Sequence, residues 1–150
     1  MNIAGAEGGR TSDAGQIVDV LSSLSLFADL SRPQLEATAH SFDEQWFNEG
    51  ERILRQGFRG SGFYIILEGE AEVRIDGREW NKMSRGDFFG EISILLGENP
   101  SADIVALRPL RCLVLSEPDF EPFLSAHPQV MYRMLQTQAR RLRAATRGQS

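Results

Sequence analysis

The sequence predicts a mainly β domain, a sandwich or barrel of short strands flanked by α-helices, and three observations carry that prediction. Between Phe42 and Leu115, glycines at 50, 57, 60, 62, 69, 77, 86, 90 and 97 separate short runs of apolar and β-branched residues, the texture of strands joined by tight turns. Before and after that stretch the apolar positions return to a helical period. The 150 residues, 41% hydrophobic and 25% charged, suit one domain of common size. The expected organisation is a flexible tail over 1–15, made mostly of Gly, Ala, Ser, Asp and Glu, followed by one domain over 16–147.

The elements follow in order. From Gln16 to Leu30, Ile17, Val20, Leu21 and Leu24 fall at helical spacing, and Leu26, Phe27 and Leu30 follow as an apolar hook. Ser31 stands three residues before Gln34 with Pro33 in the first turn, a capping-box start for a second helix that ends near His40 to Phe42. Phe63 to Leu67 reads as a strand. Ala71, Val73 and Ile75 alternate with Glu72, Arg74 and Asp76 as a half-buried strand does, and Asp76-Gly77 turns the chain into Arg78-Glu79-Trp80. Ile104, Ala106 and the run Cys112 to Leu115 close the β region around a turn at Arg108-Pro109. Ser116 then caps a helix with Phe120, Phe123 and Leu124 on one face, and Pro128 starts a last helix carrying Met131, Met134, Leu135, Leu142 and Ala145. That helix holds Arg133, Arg140, Arg141, Arg143 and Arg147 and no acid.

Charge and composition exclude several classes. Sixteen Lys plus Arg against 21 Asp plus Glu leave a net charge of −5, so the surface as a whole is not built to grip nucleic acid or anionic lipid. No run of about 20 apolar residues offers a membrane span. A single cysteine, Cys112, forms no intrachain disulfide and reads as a buried packing residue, which predicts a reducing, cytoplasmic setting. His40 and His127 are too few and too separated for a His-rich metal centre. No nucleophile elbow, Walker loop or His-Glu-x-x-His motif is present, so no enzyme is expected.

One segment carries more specific chemistry. In Gly86-Asp87-Phe88-Phe89-Gly90-Glu91-Ile92-Ser93-Ile94-Leu95-Leu96 a strand passes through a glycine into a short helix, an arrangement that presents backbone N–H donors to an anion. By its residues alone the same stretch also fits a buried strand turning into a helix, with Glu91 as a first-turn acid. The order Phe-Gly-Glu followed by small and apolar residues resembles the phosphate-binding cassette of cyclic-nucleotide-binding domains. Phe47-Asn48-Glu49-Gly50-Glu51, Gln56-Gly57, Phe63-Tyr64-Ile65-Ile66 with Glu68-Gly69, and Ala139-Arg140-Arg141-Leu142 extend the resemblance over roughly 16–146. It is a resemblance to the sensory half of catabolite-activator-type regulators and to the regulatory domains of cyclic-nucleotide-dependent kinases and channels.

The resemblance implies a jelly-roll-like β-barrel, a double-stranded β-helix, between N-terminal and C-terminal helices. It implies a ligand, cAMP or cGMP, held at Gly90, Glu91, Ile92, Ser93, Pro100, Ser101 and Ala102, with Glu91 on the ribose 2′-hydroxyl. The sequence departs from the family at Pro100, which aligns with the arginine that grips the phosphate. Neither Pro100 nor Ser101 replaces the paired bonds of a guanidinium, so binding of cAMP is expected to be weak. Three accounts of Pro100 stand side by side. Another arginine, Arg59, Arg108, Arg140 or Arg141, reaches the phosphate; the pocket takes a different small molecule; or the domain is a scaffold that engages proteins without nucleotide.

The expected partners are a cyclic nucleotide and an unidentified downstream protein. The final helix, which in the family covers the base and joins dimers, would make a homodimer contact, and Tyr132, Gln136 and Thr146 are its polar side chains nearest the base. With no helix-turn-helix domain after that helix, direct DNA binding is not expected.

Overall fold

Among the described residues, eight antiparallel strands form two four-stranded sheets. In chain order they are β1 (Asp43–Phe47), β2 (Arg52–Leu54), β3 (Phe63–Glu68), β4 (Ala71–Ile75), β5 (Arg78–Met83), β6 (Phe88–Phe89), β7 (Asp103–Ala106) and β8 (Leu110–Leu115). One sheet runs β1-β8-β3-β6 and the other β2-β7-β4-β5, the jelly-roll arrangement that the sequence predicts. The computed structural model describes residues 15–60 and 62–148, so the expected tail lies, but for Gly15, outside the described residues. Helical segments are α1 (15–22), a 3-10 turn (Ser25–Phe27), α2 (Arg32–Ser41), α3 (Glu91–Leu96), α4 (Glu117–Ala126) and α5 (Pro128–Gly148). The chain divides into two compact units. The β unit is Ser41–Glu121, and the helical unit joins the residues up to His40 with those from Pro122 onward.

Within the β unit, Leu54, Val73 and Ile104 of one sheet pack with Tyr64, Ile66, Phe89, Cys112 and Val114 of the other. These are alternate residues of each strand, as the two-residue period of a strand requires. β3 is buried on both faces and reads as a continuous apolar run for that reason. Its Phe63 meets the rings of Phe42, Phe88 and Phe120 at 6.4, 5.6 and 5.1 Å, each such pair adding about 0.5–1.5 kcal/mol to the area buried. Cys112 is wholly buried and its thiol is pushed up to about 12 by desolvation, so it packs as the sequence predicts and stays protonated.

The hairpin expected at Asp76-Gly77 is present. Ile75 pairs with Arg78, and both loop residues have positive φ, 55° and 78°, as a two-residue primed turn demands. β1, in contrast, has no apolar alternation. It is held by Arg111 of β8, whose guanidinium pairs with Glu44, lies 3.2 Å from Glu68 and sits over the Trp46 ring at 5.6 Å. Desolvation works against the Arg111 charge, but the hydrogen bond and charge of Glu44, helped by Glu68, leave its pKa raised.

In the helical unit the capping box forms as expected: Ser31 N–H donates to Gln34 Oε1 at 2.9 Å and Gln34 N–H to Ser31 Oγ at 3.4 Å. One expectation is corrected. The helix predicted from Gln16 through Leu30 stops at residue 22, because the hydroxyls of Ser22 and Ser23 donate to the carbonyls of Asp19 and Val20, at 2.7 and 2.6 Å, and the chain tightens into the 3-10 turn. The apolar stripe of α5 is also split: Val130 and Met134 are buried, whereas Met131, Leu135 and Leu142 are 46, 65 and 69% exposed. Arg133 donates to Asp29 through two of its guanidinium nitrogens, Nε and Nη2, at 2.8 and 2.9 Å.

Candidate functional site

Gly90 joins β6 to α3 with φ +94°, a conformation L side chains rarely adopt. A Cβ there would stand 2.2 Å from the Gly62 carbonyl oxygen, so only glycine allows the two backbones this approach. β6 is fixed by pairing with β3, Phe89 opposite Tyr64, and those two rings stack at 4.8 Å. Out of that anchored strand rises α3, with Glu91, Ile92 and Ser93 in its first turn. Glu91 is 1% exposed, and a carboxylate at the first helical position is favoured by the helix dipole. Ser93 Oγ donates back to the Gly90 carbonyl at 3.3 Å. Ile92 is half exposed.

α3 ends at Gly97 (φ +65°), and Glu98 N–H returns to the Ser93 carbonyl at 3.0 Å, the αL closure that glycine permits. The chain then comes back through Pro100, Ser101 and Ala102 into β7. Pro100 is buried, and its carbonyl accepts the Gly57 N–H at 2.9 Å. Asn99 Nδ2 donates to the Gly57 carbonyl at 3.1 Å, and Asp103 Oδ1 accepts the Gln56 N–H at 2.7 Å. A Cβ on Gly60 would lie 3.2 Å from both Pro100 Cγ and Leu54 Cδ2. Ser101 is exposed and Ala102 partly buried against the core.

These contacts bring the two halves of the predicted site to one wall. The β2–β3 loop touches Gly90 through Gly62 and Pro100 through Gly57 and Gly60. The sequence expectation named Gly90 to Ser93 and Pro100 to Ala102, and from this loop Gln56-Gly57 and Arg59, but not the packing of Gly60 and Gly62. Of the arginines weighed for the phosphate, Arg108 is at the wrong end. Its N–H donates to Glu70 beyond the far end of β3, about 20 Å along the strand from Gly62 at 3.3 Å per residue. Arg59 lies in the wall itself. Arg140 and Arg141 belong to the helical unit. Among the described residues no cluster of three His, Cys, Asp or Glu could hold a metal, and no helix is long and apolar enough to cross a membrane.

A sequence profile described as the cyclic nucleotide-binding domain matches residues 44–127. Over 100 residues the chain is 37% identical to the cGMP-dependent protein kinase egl-4 of Caenorhabditis briggsae, a match that covers 63% of this chain and 13% of the kinase. The catabolite activator protein of Thermus thermophilus superposes with a TM-score of 0.73 at 27% identity, over 81% of this chain and 59% of that one. A triple variant of the regulatory subunit of a cAMP-independent protein kinase A from Trypanosoma brucei, bound to cAMP in its A site, also gives 0.73 at 27% identity, over 87% of this chain and 48% of that one. One of its three substitutions introduces an arginine in place of a threonine. The chain thus spans only part of the length of each.

Proposed function

The chain belongs to the cyclic nucleotide-binding domain family, and on that premise we propose that it is a regulatory module that binds a cyclic nucleotide of the cAMP type weakly, because Pro100 stands in place of the phosphate-gripping arginine. The observation that carries this reading is the buried Glu91 at the start of α3, set by a Gly90 that no other residue can replace. The Glu91 carboxylate accepts the ribose 2′-hydroxyl, and the Gly90 to Ser93 turn offers its N–H groups and the Ser93 hydroxyl to the phosphate. Ser101 and Ala102 add a hydroxyl and a backbone N–H. A charged hydrogen bond contributes about 1.5–3 kcal/mol, so losing one guanidinium contact weakens binding roughly 10- to 150-fold.

A second reading rests on the latch at Pro100: a backbone bound to Gly57 and a ring packed on Gly60 suit a scaffold that engages proteins without ligand. In both readings the surface offered to a downstream protein or a second copy is α5, with Met131, Leu135 and Leu142 exposed, and the setting is cytoplasmic. Calorimetric titration with cAMP and cGMP, together with amide shift mapping, separates the two. Weak saturable binding with shifts at Gly90 to Ser93 is expected. Unmoved amides at millimolar nucleotide would establish the scaffold.

A further inference from the structure

We propose that Arg59 supplies the positive charge for the ligand's phosphate, from the β2–β3 loop in place of position 100; the proposal rests on the nucleotide-binding reading above. Arg59 lies two residues beyond Gly57, whose N–H is bonded to the Pro100 carbonyl, and next to Gly60, which packs on the Pro100 ring. Three residues further, Gly62 lies against Gly90. Arg59 is therefore tethered between the two segments that would surround a phosphate.

The other cations of the β unit are engaged or misplaced. Arg52 faces Asp103 at 3.9 Å, Arg55 lies over the Phe58 ring at 4.9 Å, and Arg74 and Arg111 are paired with Glu72 and Glu44. Arg85 donates to the Leu67 carbonyl, Arg108 lies at the far end of β3, and Arg78 and Lys82 are on β5, an edge strand with β4 between it and β7. Arg59 is exposed and makes no hydrogen bond or ion pair with the described residues. Asp103 is taken by Arg52 at 3.9 Å and by the Gln56 N–H.

The loop geometry also accounts for proline at 100. With the cation in the β2–β3 loop, position 100 serves to hold that loop, and its carbonyl and ring do so through Gly57 and Gly60. An arginine on a loop keeps the planar fork that bonds two phosphate oxygens.

The test is calorimetric titration of the full chain and of Arg59→Ala and Arg59→Lys with two probes, cAMP and phosphate-free adenosine. Arg59→Ala should lower cAMP affinity about tenfold while adenosine affinity stays within about twofold, and Arg59→Lys should lose less of the cAMP affinity. An unchanged thermal melt will confirm that the exposed substitution leaves the fold intact. Equal cAMP affinity in the original chain and Arg59→Ala, or an equal loss for both probes, would overturn the proposal. If adenosine binds and Arg59 is indifferent, the nucleotide-binding reading stands and only the arginine is wrong; if neither probe binds the original chain, both fail.

Discussion

β3 is flanked at its two ends by the same backbone device. Before its first residue, the Gly62 carbonyl approaches Gly90 (φ +94°); after its last, Gly69 (φ +95°) approaches the Pro109 carbonyl, and an added Cβ would come within 2.2 and 2.3 Å of those oxygens respectively. What differs is the company. Beside Gly90 stand a buried carboxylate, a helix start and a loop carrying Arg59. Beside Gly69 is a plain turn, in which Glu70 accepts the N–H groups of Leu107 and Arg108 at 2.8 and 3.4 Å. Close backbone approach is thus a way of folding this β unit; at the Gly90 end it stands beside the groups proposed above to hold a ligand.

Four substitutions test that contrast, from the largest effect down. Gly90→Ala combines a steric collision with a strained φ and should cost about 3 kcal/mol or more in denaturant unfolding, with nucleotide binding abolished in whatever remains folded. Gly69→Ala should destabilise by a comparable amount, about 3 kcal/mol, yet leave nucleotide affinity per folded molecule unchanged. Loss of binding there as well would mean that the two ends are coupled and the contrast fails. Glu91→Gln keeps the shape of the side chain and should weaken cAMP about tenfold in calorimetry while leaving 2′-deoxy-cAMP unaffected.

The smallest effect is expected outside the β unit. Hydrogen bonding to Arg133 holds the Asp29 carboxyl below its usual value. A lowered pKa in the folded state gives stability that is present above the unfolded-state pKa and lost as pH falls through the folded one. Asp29→Asn should therefore flatten the acid side of the stability profile slightly, with no change in ligand affinity; both groups are on the surface, where such pairs contribute little.

How much of this was legible follows from where the determining contacts lie. β3, β4, the Asp76-Gly77 hairpin and the Ser31 cap were readable because each is specified by neighbours within a few residues. β1 was not, since it lacks apolar alternation and is placed by pairing with β8, far along the chain, where Arg111 binds Glu44 and lies over Trp46. The early end of α1 depends on two serine hydroxyls that compete for backbone carbonyls, which a periodicity of apolar residues does not register. The strand-to-helix turn at Gly90, Glu91 and Ser93 was legible from its order of residues. The wall at Gly57, Gly60 and Gly62 was not, because its role depends on what it meets across the fold. That wall is also what narrows the field of arginines, bringing Arg59 beside Pro100 and leaving Arg108 a strand's length away.

The central claim is that the pocket is a working nucleotide site weakened at position 100. The most direct measurement is a titration of cAMP into the original chain and into Pro100→Arg under identical salt. Saturable binding by both is expected, about tenfold or more tighter with arginine. The absence of binding by both at millimolar cAMP would contradict it.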